Sequence, residues 1–263
     1  MTAPAHLTYA LGRTVEASFF TFVAVGFAAQ MIDGALGMAY GVSSTALLLS
    51  FGIPPARASA AVHTAEVVVS GVSGLSHLRF GNVDRALFRR LVLPGVAGGV
   101  VGAYVLSELP GERLRPFVAA YLLAMGLYIC WRALRRVERA TLTRRVVPLG
   151  LVGGFFDAIG GGGWGPIVTT TLIARGREPR MAIGSVNLSE FFVTLAQAAT
   201  FVSMVGVQHG TVIVGLVVGG VIAAPFAAYL CRRIPPKILM VAVGVIIIAL
   251  SIRNIAIAFL GGN

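Results

Sequence analysis

The chain has 263 residues, 57% of them hydrophobic and 12% charged, against roughly 45–50% and 25% in an ordinary soluble domain. A soluble globule is excluded, and at about 20 apolar residues per spanning helix the length holds at most about ten membrane segments. Lys and Arg total 21 against 10 Asp and Glu, and Lys237 is the single lysine. The arginines come in short bursts between apolar runs, as cytoplasmic loops do, and form no continuous basic face. That argues against a nucleic-acid partner and for a lipid bilayer and a small anionic solute. Cys130 and Cys231 have neither metal-ligand nor disulfide spacing, so no cofactor or metal is expected. Little positive charge precedes Phe19, and the first apolar run reads as a retained helix rather than a cleaved signal.

In chain order, apolar runs fall at 15–32, 38–51, 57–78, 84–107 and 114–134, then at 146–159, 164–175, 180–206, 209–231 and 236–260. Between the two groups of five lies a basic burst of Arg132, Arg135, Arg136, Arg139, Arg144 and Arg145 against Glu138. The expected domains are a first transmembrane repeat (1–134), a basic cytoplasmic linker (135–145) and a second repeat (146–263). Runs 38–51 and 164–175 are too short to cross a hydrocarbon core of about 30 Å at 1.5 Å per residue. They predict half-helices or re-entrant arms. The junctions, Asp33 to Gly41 and Asp157 to Gly165, are rich in glycine, and unwound backbone at membrane depth survives only where protein or a water-lined cavity covers it.

An ungapped shift of 124 residues pairs Asp33 with Asp157, Gly37 with Gly161, Gly41 with Gly165, Thr45 with Thr169, Pro55 with Pro179 and Glu66 with Glu190. Over residues 33–66 there are ten identities in 34 positions, the self-similarity expected of a duplicated half. The loops around Arg79–Arg90, Arg175–Arg180 and Arg232–Lys237, with the linker, are arginine-rich, whereas 107–115 has no net charge and 206–210 none at all. Positive loops face the cytoplasm. The halves then run in opposite orientations, each with a broken or re-entrant pair followed by three spanning helices. The expected fold is an all-α polytopic bundle of two inverted-topology repeats with 8–10 helical segments.

Four acidic residues lie inside apolar surroundings: Asp33, Asp157, Glu66 and Glu190. A charge there costs a few kcal/mol, about 3 at the bilayer centre on insertion scales, so each is a functional candidate by default. The aspartates read equally well as caps of free backbone N–H groups. The glutamates are candidates for proton coupling, because burial favours the neutral form of a carboxyl group. His63, Glu66, Ser70, Ser73 and His77 recur at helical spacing, as do Asn187, Glu190, Thr194 and Gln197, so each set lines one face. His63, three residues from Glu66, is a candidate proton relay or a helix-to-helix hydrogen bond. For the anion itself, the half-helix N-termini offer N–H groups and a positive dipole end. The candidate binding residues are Gly37, Tyr40, Gly41, Ser43, Ser44, Thr45, Gly161, Trp164, Gly165, Thr169 and Asn187. Gly95, Gly98, Gly99, Gly102, Gly215, Gly219 and Gly220 are read as close-packing positions.

The chain resembles the TauE/SafE family of sulfite-exporter-like membrane proteins. The matching features are Gly34, Gly37 and Gly41 in the opening, Pro54-Pro55 before the helix holding Glu66, Gly81-Asn82-Val83-Asp84, the Gly160–Gly165 cluster, and Gly184-Ser185-Val186-Asn187. The resemblance runs from about residue 17 to 258. It implies a carrier in the cell inner (cytoplasmic) membrane that moves sulfite, sulfoacetate or related organosulfonates outward. Two other readings remain open: a Na⁺ or divalent-metal carrier using the same carboxylates, and an intramembrane serine protease built on Gly71-Val72-Ser73-Gly74. The oligomeric state is not legible.

Overall fold

The computed structural model describes residues 19–134, 146–231 and 236–260; the 135–145 linker and Arg232–Arg233 lie outside them. Among the described residues every element is helical. The elements are α1 (Phe19–Leu36), α2 (Tyr40–Ser50), α3 (Pro55–Arg79), α4 (Arg85–Glu108) and α5 (Gly111–Leu134), then α6 (Val146–Gly160), a π-helical turn (Gly165–Thr169) leading into α7 (Thr170–Ala174), α8 (Pro179–Val205), α9 (Gly210–Leu230) and α10 (Pro236–Leu260). Five are long and apolar enough to cross a membrane: α1, α4, α8, α9 and Arg113–Leu134 of α5. The protein is a multi-pass membrane protein.

The helix breaks are shorter than the glycine content suggests. The α1 ladder runs past Asp33 to a hydrogen bond from Gly37 N–H to the Asp33 carbonyl four residues back, and Gly162 N–H donates to the Asp157 carbonyl five residues back, a wider turn. The chain leaves the helix only at 37–39 and 161–163. Positive φ at Gly37 (69°) and Gly161 (63°) makes each turn, with Ala39 at 101°, a region that costs a side-chain-bearing residue about 1–3 kcal/mol. The segment at 164–175 opens as a wide π-turn rather than as α-helix. Pro166 supplies no N–H there, and the Thr170 hydroxyl donates to its carbonyl.

Both opening pairs fold as helical hairpins. Phe22 near the start of α1 meets Phe51 at the end of α2 edge to face, with ring centroids 6.3 Å apart. Although α1 is long enough to span, the chain returns to the end from which it came. In the second pair Val146, Leu149, Leu172 and Ile173 share one apolar cluster with Leu87 and Leu91 of α4, so α6 begins where α7 ends. Around the hairpins, α1 packs along α9, α6 along α4, α3 along α8 and α5 along α10. Small residues set these distances: a Cβ at Gly219 would lie 2.0 Å from the Val23 carbonyl oxygen, and one at Gly98 2.0 Å from that of Leu151.

The two ends of the bundle differ in charge. At one, Arg177 pairs with Asp84 at 3.3 Å, Asp84 N–H donates to the Ser185 hydroxyl at 2.8 Å, and Arg132 and Pro179 face a shared cavity. At the other, Arg115 donates to the Leu49 carbonyl at 3.0 Å and Gly111 lies against Pro54. There partial burial, and then the nearby Arg57, lower the His209 pKa.

Candidate functional site

The hairpin tips meet in the middle of the bundle. The Thr45 hydroxyl donates to the Gly161 carbonyl at 2.8 Å, and the Thr169 hydroxyl donates to the Gly37 carbonyl at 2.7 Å. The approach is close enough that a Cβ at Gly161 would lie 2.1 Å from Thr45 Oγ1, one at Gly41 2.6 Å from the Gly161 oxygen, and one at Gly165 2.3 Å from the Gly37 oxygen.

The two aspartates sit behind these tips and differ in their bonding. Asp157 Oδ1 accepts from Gly163 N–H at 2.7 Å and Trp164 N–H at 2.9 Å, capping the π-turn as a helix N-terminus invites. Its Oδ2 accepts from Gln197 Nε2 at 3.0 Å and faces His63 Nε2 at 3.4 Å. Asp33 has only Tyr40 N–H, at 3.5 Å. Capping therefore describes Asp157 well and Asp33 weakly. For His63 the structure shows the helix-to-helix contact that was one of its two sequence readings: its Nε2 faces Asp157 of α6. His63 Nδ1 lies 2.8 Å from the Ser59 carbonyl oxygen, which can only accept, so a protonated Nδ1 donates there.

Both polar stripes turn inward. His63, Glu66, Ser70, Ser73 and His77 on α3, and Asn187, Glu190, Thr194 and Gln197 on α8, are all buried. The stripes touch at Ser70–Thr194 (3.4 Å) and Ser73–Asn187 (2.7 Å). Between them and the tips lies a chamber lined by Asp33, Ala39, Gly41, Val42, Glu66, Asp157, Gly162, Gly163, Gly165, Pro166 and Glu190. Its volume, about 10 Å³, is that of one water-sized sphere. Glu66 Oε2, Gln197 Oε1 and Ser44 Oγ are buried polar atoms without a hydrogen-bond partner.

Of the residues expected from sequence, Asp33, Gly41, Glu66, Asp157, Gly165 and Glu190 line this chamber. Gly37, Thr45, Gly161 and Thr169 join the tips. Tyr40 and Trp164 stand behind them, the tyrosine hydroxyl on the Leu216 carbonyl at 3.2 Å and the indole N–H on the Val186 carbonyl at 3.2 Å. Asn187 holds Ser73 and the Ile183 carbonyl. Ser43 is a correction. It lines an apolar depression with Val25, Ile32, Leu47 and Leu250, because successive helix positions point about 100° apart. Sequence reasoning missed Ala39, Val42, Gly162, Gly163 and Pro166. Their signal was membership in the two breaks, where backbone rather than side chain does the lining. Gln197 lay on a stripe already seen, but not as the partner of Asp157.

Among the described residues no Arg or Lys lines the chamber. Among the described residues no group of three or more His, Cys, Asp or Glu is arranged to hold a metal ion. The Ser73 hydroxyl is engaged by Asn187. His77 Nε2 is committed to the Gly34 carbonyl at 2.9 Å, and His63 to Ser59 and Asp157, so neither histidine is placed as a base for Ser73.

Comparison with known proteins agrees in kind. A family model described as "Sulfite exporter TauE/SafE" matches residues 22–254. The protein named "Probable membrane transporter protein YtnM" from Bacillus subtilis (strain 168) is 44% identical over 244 residues, covering 89% of this chain and 81% of that protein. "Probable membrane transporter protein ORF9" from Sinorhizobium sp is 29% identical over 188 residues, covering 69% and 65%. No solved structure matches the chain.

Proposed function

From the premise that this chain belongs to the TauE/SafE sulfite exporter family of membrane transporters, we propose that it carries small anions of the sulfite and organosulfonate class out of the cell. In this reading the anion crosses the cytoplasmic membrane by alternating access about the carboxyl-lined chamber. The halves 1–134 and 146–263 act as inverted-topology repeats. Supporting this, contacts recur in pairs at the 124-residue shift: Thr45 to Gly161 with Thr169 to Gly37, Tyr40 to Asp33 with Trp164 to Asp157, and α1 on α9 with α6 on α4. The carrier performs no covalent chemistry.

The observation that carries the mechanism is the lining itself. Among the described residues four carboxyl-bearing side chains and no Arg or Lys surround the chamber, so an anion enters favourably only when some carboxyls are neutral. Anion and protons then bind together, which is thermodynamic linkage. In this proposal the unpartnered Glu66 Oε2 and the His63–Asp157 pair are the groups that hold them. An inside-negative potential drives the complex outward whenever the anion carries more charge than its protons, by about 2.3 kcal/mol per net charge per 100 mV.

The test is flux of radiolabelled sulfite and sulfoacetate in proteoliposomes under imposed pH and voltage gradients. Efflux is expected to rise when the loading side is acidified. Glu66→Gln with Glu190→Gln is expected to abolish the pH dependence while leaving the detergent-solubilised protein folded; pH dependence unchanged in that variant removes the coupling role. The carboxyl lining also favours a second reading, a monovalent-cation carrier. Sodium-dependent uptake that neither anion competes with would select it.

A further inference from the structure

A second cavity, about 150 Å³, lies toward the arginine-rich end and is lined by Leu36, Met38, Arg132, Thr170, Ile173, Pro179, Ile183 and Met240. We propose that it is the vestibule through which solute reaches the chamber from that end, with Arg132 as the capturing group and the Thr169–Gly37 hydrogen bond as its floor. The proposal rests on the transport reading above and says where its path runs.

Position comes first. Leu36 and Met38 flank Gly37, Thr170 follows Thr169, and the Ile183 Cα would lie 3.4 Å from a Cβ at Gly37. Ala39, Gly165 and Pro166, on the same two chain segments, line the chamber. The partition between the spaces is thus one turn of each hairpin tip, joined by a single side-chain hydrogen bond. Size is the second observation. Measured alike, the outer cavity is about 150 Å³ and the chamber about 10 Å³, so only the outer one holds a multi-atom anion before anything moves.

Charge is the third. Among the described residues Arg132 is the one charged residue in the lining, and a guanidinium offers a planar fork of donors to a sulfite or sulfonate oxygen pair. No carboxylate among the described residues lines it. The remaining wall is largely apolar, which holds a small organic body without trapping the anion.

Among the described residues, the repeat-related position toward the opposite end is filled. At the 124-residue shift, Leu36, Met38, Thr170 and Ile183 correspond to Gly160, Gly162, Ala46 and Ser59. There the Tyr121 ring fills the gap: a Cβ at Gly160 would lie 1.9 Å from it, and one at Gly163 2.4 Å from its hydroxyl. Arg115 is tied to the Leu49 carbonyl and Ser59 to that of Ala158. Access is therefore one-sided, and Tyr121 must withdraw for the solute to leave.

Thiol accessibility tests this without a substrate. In a Cys130→Ser, Cys231→Ser background, Met38→Cys and Ala46→Cys are exposed to a membrane-impermeant methanethiosulfonate from each side, with Glu178→Cys and Val207→Cys marking the two ends. Met38→Cys is expected to label from the Glu178 side only, and Ala46→Cys to stay unlabelled until Tyr121→Ala is added. Met38→Cys labelling from the Val207 side, from both sides alike, or only after unfolding in SDS overturns the proposal. Arg132→Gln is expected to raise the half-saturating anion concentration about tenfold, the loss of one charge-assisted hydrogen bond, with Arg132→Lys recovering part. Expected labelling with no anion flux keeps the vestibule and rejects the substrate; anion flux with Met38→Cys inert rejects the vestibule.

Discussion

Asp157 and Asp33 occupy matching places in the two hairpins but hold unequal shares of the structure. Asp157 accepts from two backbone N–H groups and from Gln197, and meets His63, whereas Asp33 has one long contact to Tyr40 N–H. Removing a buried, fully bonded carboxylate strands its donors, at about 3–5 kcal/mol when a charged partner remains. Losing a single weak cap costs about 1 kcal/mol. Asp157→Ala is therefore expected to lower stability in detergent by at least about 3 kcal/mol, and Asp33→Ala by about 1 kcal/mol. Thermal melts of the two purified variants check this, and equal losses would mean that the aspartates have equivalent roles.

At the scale of the elements, the hairpin tips depend on backbone approaching backbone. Gly161 combines a φ of +63° with a neighbour 2.1 Å from any added Cβ, whereas Gly81 has a φ of +67° and nothing within 4 Å. Both alanine substitutions meet the left-handed penalty of roughly 1–2 kcal/mol, but only Gly161→Ala also drives Thr45 away and breaks its hydrogen bond. Gly81→Ala is expected to purify and melt close to the parent protein. Gly161→Ala is expected to lose several kcal/mol, about 1–3 from the unsatisfied carbonyl alone, and with it the tip contact; similar melting temperatures for the two would contradict the tip geometry. The same logic explains why the long helix α3 carries a buried polar stripe. Its His63, Glu66, Ser70 and Ser73 face α8 and the tips rather than lipid, so each polar group has a protein neighbour or a cavity, as the hydrocarbon interior demands.

For the whole molecule, the arginine-rich end gathers the Arg177–Asp84 pair, the Ser185 contact to Asp84 and the Arg132 cavity. Positive loops stay in the cytoplasm. Glu178→Cys is expected to react with an impermeant thiol reagent only in inside-out vesicles and Val207→Cys only in intact cells; the reverse pattern would turn the molecule over. The Arg177–Asp84 pair is partly exposed, so breaking it is expected to change stability by no more than about 1 kcal/mol. It marks which loops meet rather than holding the bundle together.

Composition and periodicity alone established a helical membrane protein, the ten apolar runs, the inward stripes on α3 and α8 and the four intramembrane carboxyls, because hydrophobic runs and helical spacing are written residue by residue. The glycine breaks were visible for the same reason, and the family resemblance agreed with the comparison. Only the tertiary structure decided that the opening pairs, whose short runs already suggested re-entrant arms, turn at 37–39 and 161–163, since length cannot say where a chain turns. It also moved Ser43 out of the site and gave His63 to Asp157, 94 positions away in the chain. It turned Thr45 and Thr169 from solute donors into clasps between the hairpins. Those facts depend on which helix faces meet across the bundle, and contacts between distant segments leave no mark in the local spacing of side chains.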